Sequence, residues 1–121
     1  MEKKVILLVE DNKKIQAFNK RMLERNNFIA ETAMTLADAK SFLKRQTPAA
    51  IILDIGMPDG NGLNFLRELR QESEIPVLLL TGYSIDSDFI REFKSKNNDY
   101  LSKPYKFESL LERVKALIES V

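Results

Sequence analysis

Four places in this sequence put a chemically capable side chain directly after an apolar run. Val5 to Val9 lead into Glu10 and Asp11, and Ala49 to Leu53 lead into Asp54. Val77 to Leu80 lead into Thr81, and the short stretch Asp99 to Ser102 leads into Lys103. Taken singly, each has an ordinary explanation. An aspartate after a strand forms turns or caps a helix, an acidic pair suits a helix N-terminus, and a lone threonine or lysine is structural or solvated. Taken together they describe a site. Three carboxylates gathered at one edge repel until one takes a proton or a hard divalent cation arrives. Mg²⁺ fits best, because it takes one or two carboxylates, keeps waters and accepts phosphate oxygens. Asp11 and Asp54 would be direct ligands, the backbone carbonyl of Gly56 a third, and Glu10 would act through water. Thr81 can donate to a phosphoryl oxygen and Lys103 can neutralise another. A carboxylate can itself accept a phosphoryl group covalently, and Asp54 stands where such an acceptor belongs.

These residues need a scaffold that brings strand ends to one edge. Continuous apolar runs mark strands buried on both faces, as in a parallel sheet. Helical spacing appears between them. Ile15, Phe18 and Met22 are expected on one face of a first helix, which Asn26 and Asn27 end. Phe28 to Thr32 reads as a weaker strand at a sheet edge. Thr35 with Asp38 resembles a capping box for a second helix, carried by Leu36, Ala39 and Leu43 to about Arg45. Leu63, Leu66 and Leu69 mark a third helix ending near Glu72. Ile85, Phe89 and Phe93 mark a fourth, with Asp86 and Asp88 in its first turn. Leu110, Val114, Leu117 and Val121 mark the last. Between Asp54 and Leu63 lie Gly56, Pro58, Gly60 and Gly62, a loop demanding unusual backbone angles. It lacks the Lys-Ser/Thr ending of a P-loop. Strands alternating with helices imply right-handed crossovers and helices on both faces. The expected fold is α/β: a doubly wound, five-stranded parallel sheet, flavodoxin-like, order 2-1-3-4-5, with five helices.

At 121 residues the chain reads as one domain, 1–121, with 44% hydrophobic and 31% charged residues. Nineteen basic against eighteen acidic residues leave a net charge of +1, which favours neither nucleic acid nor an anionic membrane as a partner. Without cysteine there are no disulfides or thiolate metal sites. Without histidine, zinc sites and the commonest general base are also missing. No run approaches the roughly 20 apolar residues that cross a bilayer, and the N-terminus begins no signal peptide, so a cytoplasmic location is expected.

Four segments carry a resemblance to the receiver domain of bacterial two-component response regulators. They are Leu8-Val9-Glu10-Asp11-Asn12, the stretch from Leu53 to Gly62, Leu80-Thr81-Gly82, and Asp99-Tyr100-Leu101-Ser102-Lys103-Pro104. The resemblance covers essentially the whole chain. It implies that Asp54 accepts a phosphoryl group from a histidine kinase and that Glu10 and Asp11 form the magnesium-binding pair. It further implies that Thr81 is the switch hydroxyl, Tyr100 the aromatic that turns inward with it, and Lys103 the phosphate-contacting lysine. Two departures stand out. Lys96 and Asn97 replace a small Gly-Ala pair, and Gly56 and Tyr83 stand where rapidly self-dephosphorylating members carry polar side chains, so slow autodephosphorylation is expected.

The end of the chain is similar to receivers that precede winged-helix DNA-binding domains. Asp99 and Arg113 match an ion pair such receivers use to dimerise through their fourth helix, fifth strand and fifth helix. The implied output is transcription, through a C-terminal domain absent from these residues. Two other readings stay open: a stand-alone phosphorelay carrier, and a Mg²⁺-dependent phosphohydrolase, for which no general base is in view.

Overall fold

The computed structural model describes residues 2–82 and 97–119. In chain order these form β1 (Val5–Val9), α1 (Lys13–Arg25), β2 (Ile29–Ala33), α2 (Leu36–Arg45), β3 (Ala50–Asp54), β4 (Gly56–Met57), β5 (Gly60–Asn61), α3 (Gly62–Glu72), β6 (Val77–Thr81), β7 (Asn98–Ser102) and α4 (Phe107–Glu119). Five strands make one parallel sheet in the order β2-β1-β3-β6-β7. With the two short strands set aside, this is the expected order 2-1-3-4-5. Four helices lie among the described residues; the helix expected over 85–93, with Phe89, and the end of the last stripe at Val121 lie outside them.

The continuous apolar runs behave as their composition requires. Every residue of β3 and β6 is buried. Alternation along the strands divides the core in two. Leu7, Val9, Ile51, Leu53, Val77 and Leu79 pack with α2 and α3. Ile6, Leu8, Ile52, Leu78, Leu80 and Leu101 pack with Leu23 of α1 and with Leu110, Val114 and Leu117 of α4. β2, an edge strand, exposes Ile29, Glu31 and Thr32 and buries only Ala30 and Ala33.

Two details differ from the sequence reading. Of the stripe expected on α1, only Met22, half-buried, packs against the core. Ile15 is 37% and Phe18 55% exposed, whereas Asn19 at 2% and Leu23 at 0% point into the core. The apolar period was overridden because Asn19 finds a partner across the chain: its Nδ2 donates to the Tyr105 hydroxyl at 3.0 Å. Phe18 instead packs edge-on against Phe107, with ring centroids 6.4 Å apart.

The second difference is the loop after Asp54, which contains a two-stranded antiparallel ribbon, Gly56 opposite Asn61 and Met57 opposite Gly60. It closes tightly on the end of β3. A Cβ on Gly62 would lie 2.8 Å from the Asp54 carbonyl oxygen and 2.9 Å from Ile55 Cα, so only glycine allows this approach. The ribbon also holds α2. Asp59 accepts from the backbone N–H groups of Leu36 at 2.8 Å and Ala37 at 3.0 Å, beside the Thr35 cap on Asp38.

Candidate functional site

Parallel pairing carries the ends of β1, β3, β6 and β7 to one edge. There Glu10, Asp11, Asp54, Gly56 and Lys103 line one recess of about 540 Å³, together with Asn12, Ile15, Ile55 and Gly82. One carboxylate oxygen from each of Glu10, Asp11 and Asp54 lies within 4.8 Å of the others. Of the strand-end residues, Glu10, Asp11, Asp54 and Lys103 therefore share the recess, and Thr81 is not in its lining.

Each carboxylate is held differently. Asp54 Oδ1 accepts from the Gly56 backbone N–H at 3.0 Å, and Oδ2 accepts from the Lys103 ammonium at 2.5 Å. Asp54 is 6% exposed, so water screens this ion pair poorly. Glu10 is 1% exposed; its Oε2 accepts from the Asn12 N–H at 3.0 Å, and its Oε1 has no donor. Asp11 is exposed at the mouth.

The electrostatics follow from this crowding. Burial, reinforced by the neighbouring Asp54, raises the Glu10 carboxyl above its usual range despite the Asn12 N–H. Burial alone would lower the Lys103 ammonium, but its hydrogen bond to Asp54 and the charges of Asp54 and Glu10 outweigh that and raise it. A buried carboxylate oxygen without a donor, in a cluster of three acids, fits an oxygen-seeking cation such as Mg²⁺.

Thr81 and Tyr100 stand apart from the recess lining. Thr81 is buried at the end of β6, and its carbonyl accepts from the Lys103 N–H at 2.8 Å, fixing the start of the lysine's loop. Thr81 follows Leu79 on the α2/α3 face of the sheet, and Tyr100, paired with Leu79 across the strands, is half-buried against the same core. Asp99 and Arg113 do pair, but within the chain: Arg113 donates to Asp99 Oδ1 at 3.2 Å and to the Tyr100 carbonyl at 2.8 Å. Tyr83 and Lys96 lie outside the described residues. Asn97 is half-buried, and its carbonyl accepts from Arg70 of α3 at 3.0 Å.

Three site-shaping residues escaped the sequence reading. Asn12 caps α1, accepting from Lys14 and Ile15 N–H, while its own N–H holds Glu10. Its type and position, just before a helical period, were a readable signal. Gln16 donates to the Glu10 carbonyl at 2.9 Å, and Tyr105 receives Asn19. Neither announces itself in sequence, since its partner is defined only by the fold.

A parallel, doubly wound sheet with an acidic recess and a lysine at its strand ends places the molecule among flavodoxin-like α/β domains with a strand-end site. The comparisons narrow this. Residues 6–115 match the response regulator receiver domain, and the chain belongs to that family. It is similar to the KDP operon transcriptional regulatory protein KdpE of Escherichia coli, 37% identical over 113 residues, covering 93% of this chain and 50% of the relative. It is also similar to the phosphate regulon transcriptional regulatory protein PhoB of Escherichia coli, 33% identical over 119 residues, covering 96% and 52%. The chain thus spans about half the length of these relatives. Among solved structures it resembles a Francisella response regulator receiver domain (TM-score 0.84, 28% identity, 96% and 97% coverage). The receiver domain of a Syntrophus aciditrophicus histidine kinase is similar too (TM-score 0.86, 32% identity, 98% and 92% coverage).

Proposed function

We propose that this chain is a phosphorylation switch in which Asp54 accepts a phosphoryl group from the phosphohistidine of a partner kinase. The observation that carries the reading is the convergence of Glu10, Asp11 and Asp54 within 4.8 Å, with Lys103 bonded to the acceptor itself. An Asp54 carboxylate oxygen attacks phosphorus, the P–N bond breaks, and its electron pair returns to the imidazole nitrogen, which takes up a proton. The Gly56 N–H orients Asp54 for this attack, and Lys103 moves from the carboxylate to follow a phosphoryl oxygen. Mg²⁺, held by Asp11, Asp54 and the Gly56 carbonyl with Glu10 through water, would neutralise charge developing on the phosphoryl oxygens. Thr81 then reaches the phosphoryl group around the end of β6, and Tyr100 takes the space it leaves on that same face. The side chains of Ile15 and Phe18, exposed beside the recess, give the kinase an apolar surface to cover.

The output is transcription, through a DNA-binding portion beyond these residues. The support is that the relatives named as transcriptional regulators are about twice as long as the matched segment. The receiver itself spans residues 1–121, works in the cytoplasm and binds no nucleic acid. Among the described residues, no helix is long and apolar enough to cross a membrane. Phosphorylation drives a homodimer through the face that includes β7 and α4. Arg113, now satisfied by Asp99 and Tyr100 of its own chain, would exchange partners there.

Incubation with Mg²⁺ and acetyl phosphate, read by intact mass, tests the switch. One phosphoryl group per chain, absent in Asp54→Ala, is expected. Sustained phosphate release would instead indicate the phosphohydrolase, and no modification would leave a binding module without phosphotransfer. The gene sequence past Val121 separates a longer regulator from a stand-alone carrier.

A further inference from the structure

The start of α1 is polar where it approaches the recess, from the exposed cap Asn12 through half-buried Gln16 to buried Asn19. Asn12, Gln16 and Asn19 succeed one another at helical steps, and Leu23 begins the apolar part. Each has a partner at the site, near in sequence for the first two and distant for Asn19. Asn12 N–H and Gln16 Nε2 hold the side chain and carbonyl of Glu10, at 3.0 and 2.9 Å. Asn19 Nδ2 donates to Tyr105 OH at 3.0 Å, and Tyr105 is two residues from Lys103 on the loop joining β7 to α4. One helix therefore grips both halves of the site, the acid side through Glu10 and the cation side through the lysine's loop.

Stability alone gives no reason for this bond. Asn19 is 2% exposed, one helical turn before buried Leu23, where an apolar pair would pack without desolvating an amide. What an amide–phenol pair adds is direction and distance, which an apolar contact does not set.

We propose that the Asn19–Tyr105 hydrogen bond is a positioning contact for phosphoryl transfer, setting where the Lys103 loop stands against the Glu10 side of the recess. It rests on Asp54 being the phosphoacceptor. Lys103 must leave Asp54 Oδ2 and meet a phosphoryl oxygen, and a loop pinned at Thr81 on one side and Tyr105 on the other limits where its ammonium can go. Neither Asn19 nor Tyr105 touches Asp54; both act through Lys103.

The test compares Tyr105→Phe, Asn19→Leu and the double variant with the unaltered chain. Three quantities are read: the initial rate of Asp54 phosphorylation by acetyl phosphate, Mg²⁺ affinity by calorimetry, and the thermal midpoint. Tyr105→Phe is expected to slow phosphorylation about fivefold, the worth of one neutral hydrogen bond, with Mg²⁺ affinity held within about twofold. The double variant, apolar at both positions, regains the midpoint but not the rate. An unchanged rate in Tyr105→Phe, or a rate that recovers with the midpoint in the double variant, overturns the proposal. If Asn19→Leu does not fold, Tyr105→Phe decides alone, measured where it is fully folded. An unaltered chain that takes no phosphoryl group removes the switch reading and this proposal together. Normal phosphorylation of every variant removes only this proposal.

Discussion

Glu10 leaves one buried oxygen without a donor while Asp54, a few ångströms away, has both oxygens occupied. On the proposed function the contrast divides their duties: Glu10 would be available for a cation and its waters, and Asp54 would be held in aim. Gly56 adds the next feature. A Cβ built there would meet only Asp54 Oδ1, at 4.0 Å, so the position opens toward the acceptor but offers no side chain to orient water. The phosphorylated chain should therefore lose its phosphoryl group slowly. Gly56→Asn, which places an amide beside that oxygen, should shorten its lifetime by about tenfold, as positioned water reacts faster. The decay of phosphorylated protein after donor removal checks both statements. A half-life of seconds in the unaltered chain would contradict the first.

At the scale of elements, what was legible in sequence depended on how local its cause was. β1, β3 and β6 could be read because four or five apolar residues in a row have few other uses, and the polar ends of β1 and β3 marked the recess without any structure. α1 was readable as a helix but not in its orientation: Ile15 and Phe18 look like a core stripe until Asn19 meets Tyr105, 86 residues away. The ribbon in the glycine loop was hidden for the same reason, since its two strands span two residues each and carry no period. Asp59 shows what the ribbon contributes. The N–H of Leu36, joined by that of Ala37, pulls its carboxyl below the ordinary aspartate value of 3.8 against an opposing effect of desolvation. A lowered folded-state value means that its stabilisation is present above pH 3.8 and lost as pH falls through the folded value. Asp59→Asn should be less stable than the unaltered chain at neutral pH. The gap should close on acidification below 3.8, which denaturant melts across that range would reveal. A gap independent of pH would remove the charge from the account.

Across the whole molecule, the near-neutral sequence conceals one concentrated charge. Three carboxylates and one ammonium give the recess a formal −2, the complement of a single divalent cation. Mg²⁺ should accordingly stabilise the fold. At a hundredfold excess over its dissociation constant the gain is about 2.7 kcal/mol, or roughly 10 °C in midpoint for a domain of this size. A chelator should reverse the gain and Glu10→Gln should reduce it; equal midpoints with and without Mg²⁺ would exclude the site.

The sheet also sorts the recess from its response. α1, with Ile15 and Phe18 exposed beside the recess, packs on one face, while Thr81 and Tyr100 belong to the other. On the proposed function, a kinase seated on α1 and a reader seated at Tyr100 would stand on opposite sides of the sheet, whereas the α4 part of the dimer face lies on the kinase's side. They would share ground only along α4. A downstream partner seated near Tyr100 could stay bound while the kinase came and went, so that successive phosphorylation events would be read without the reader having to dissociate between them.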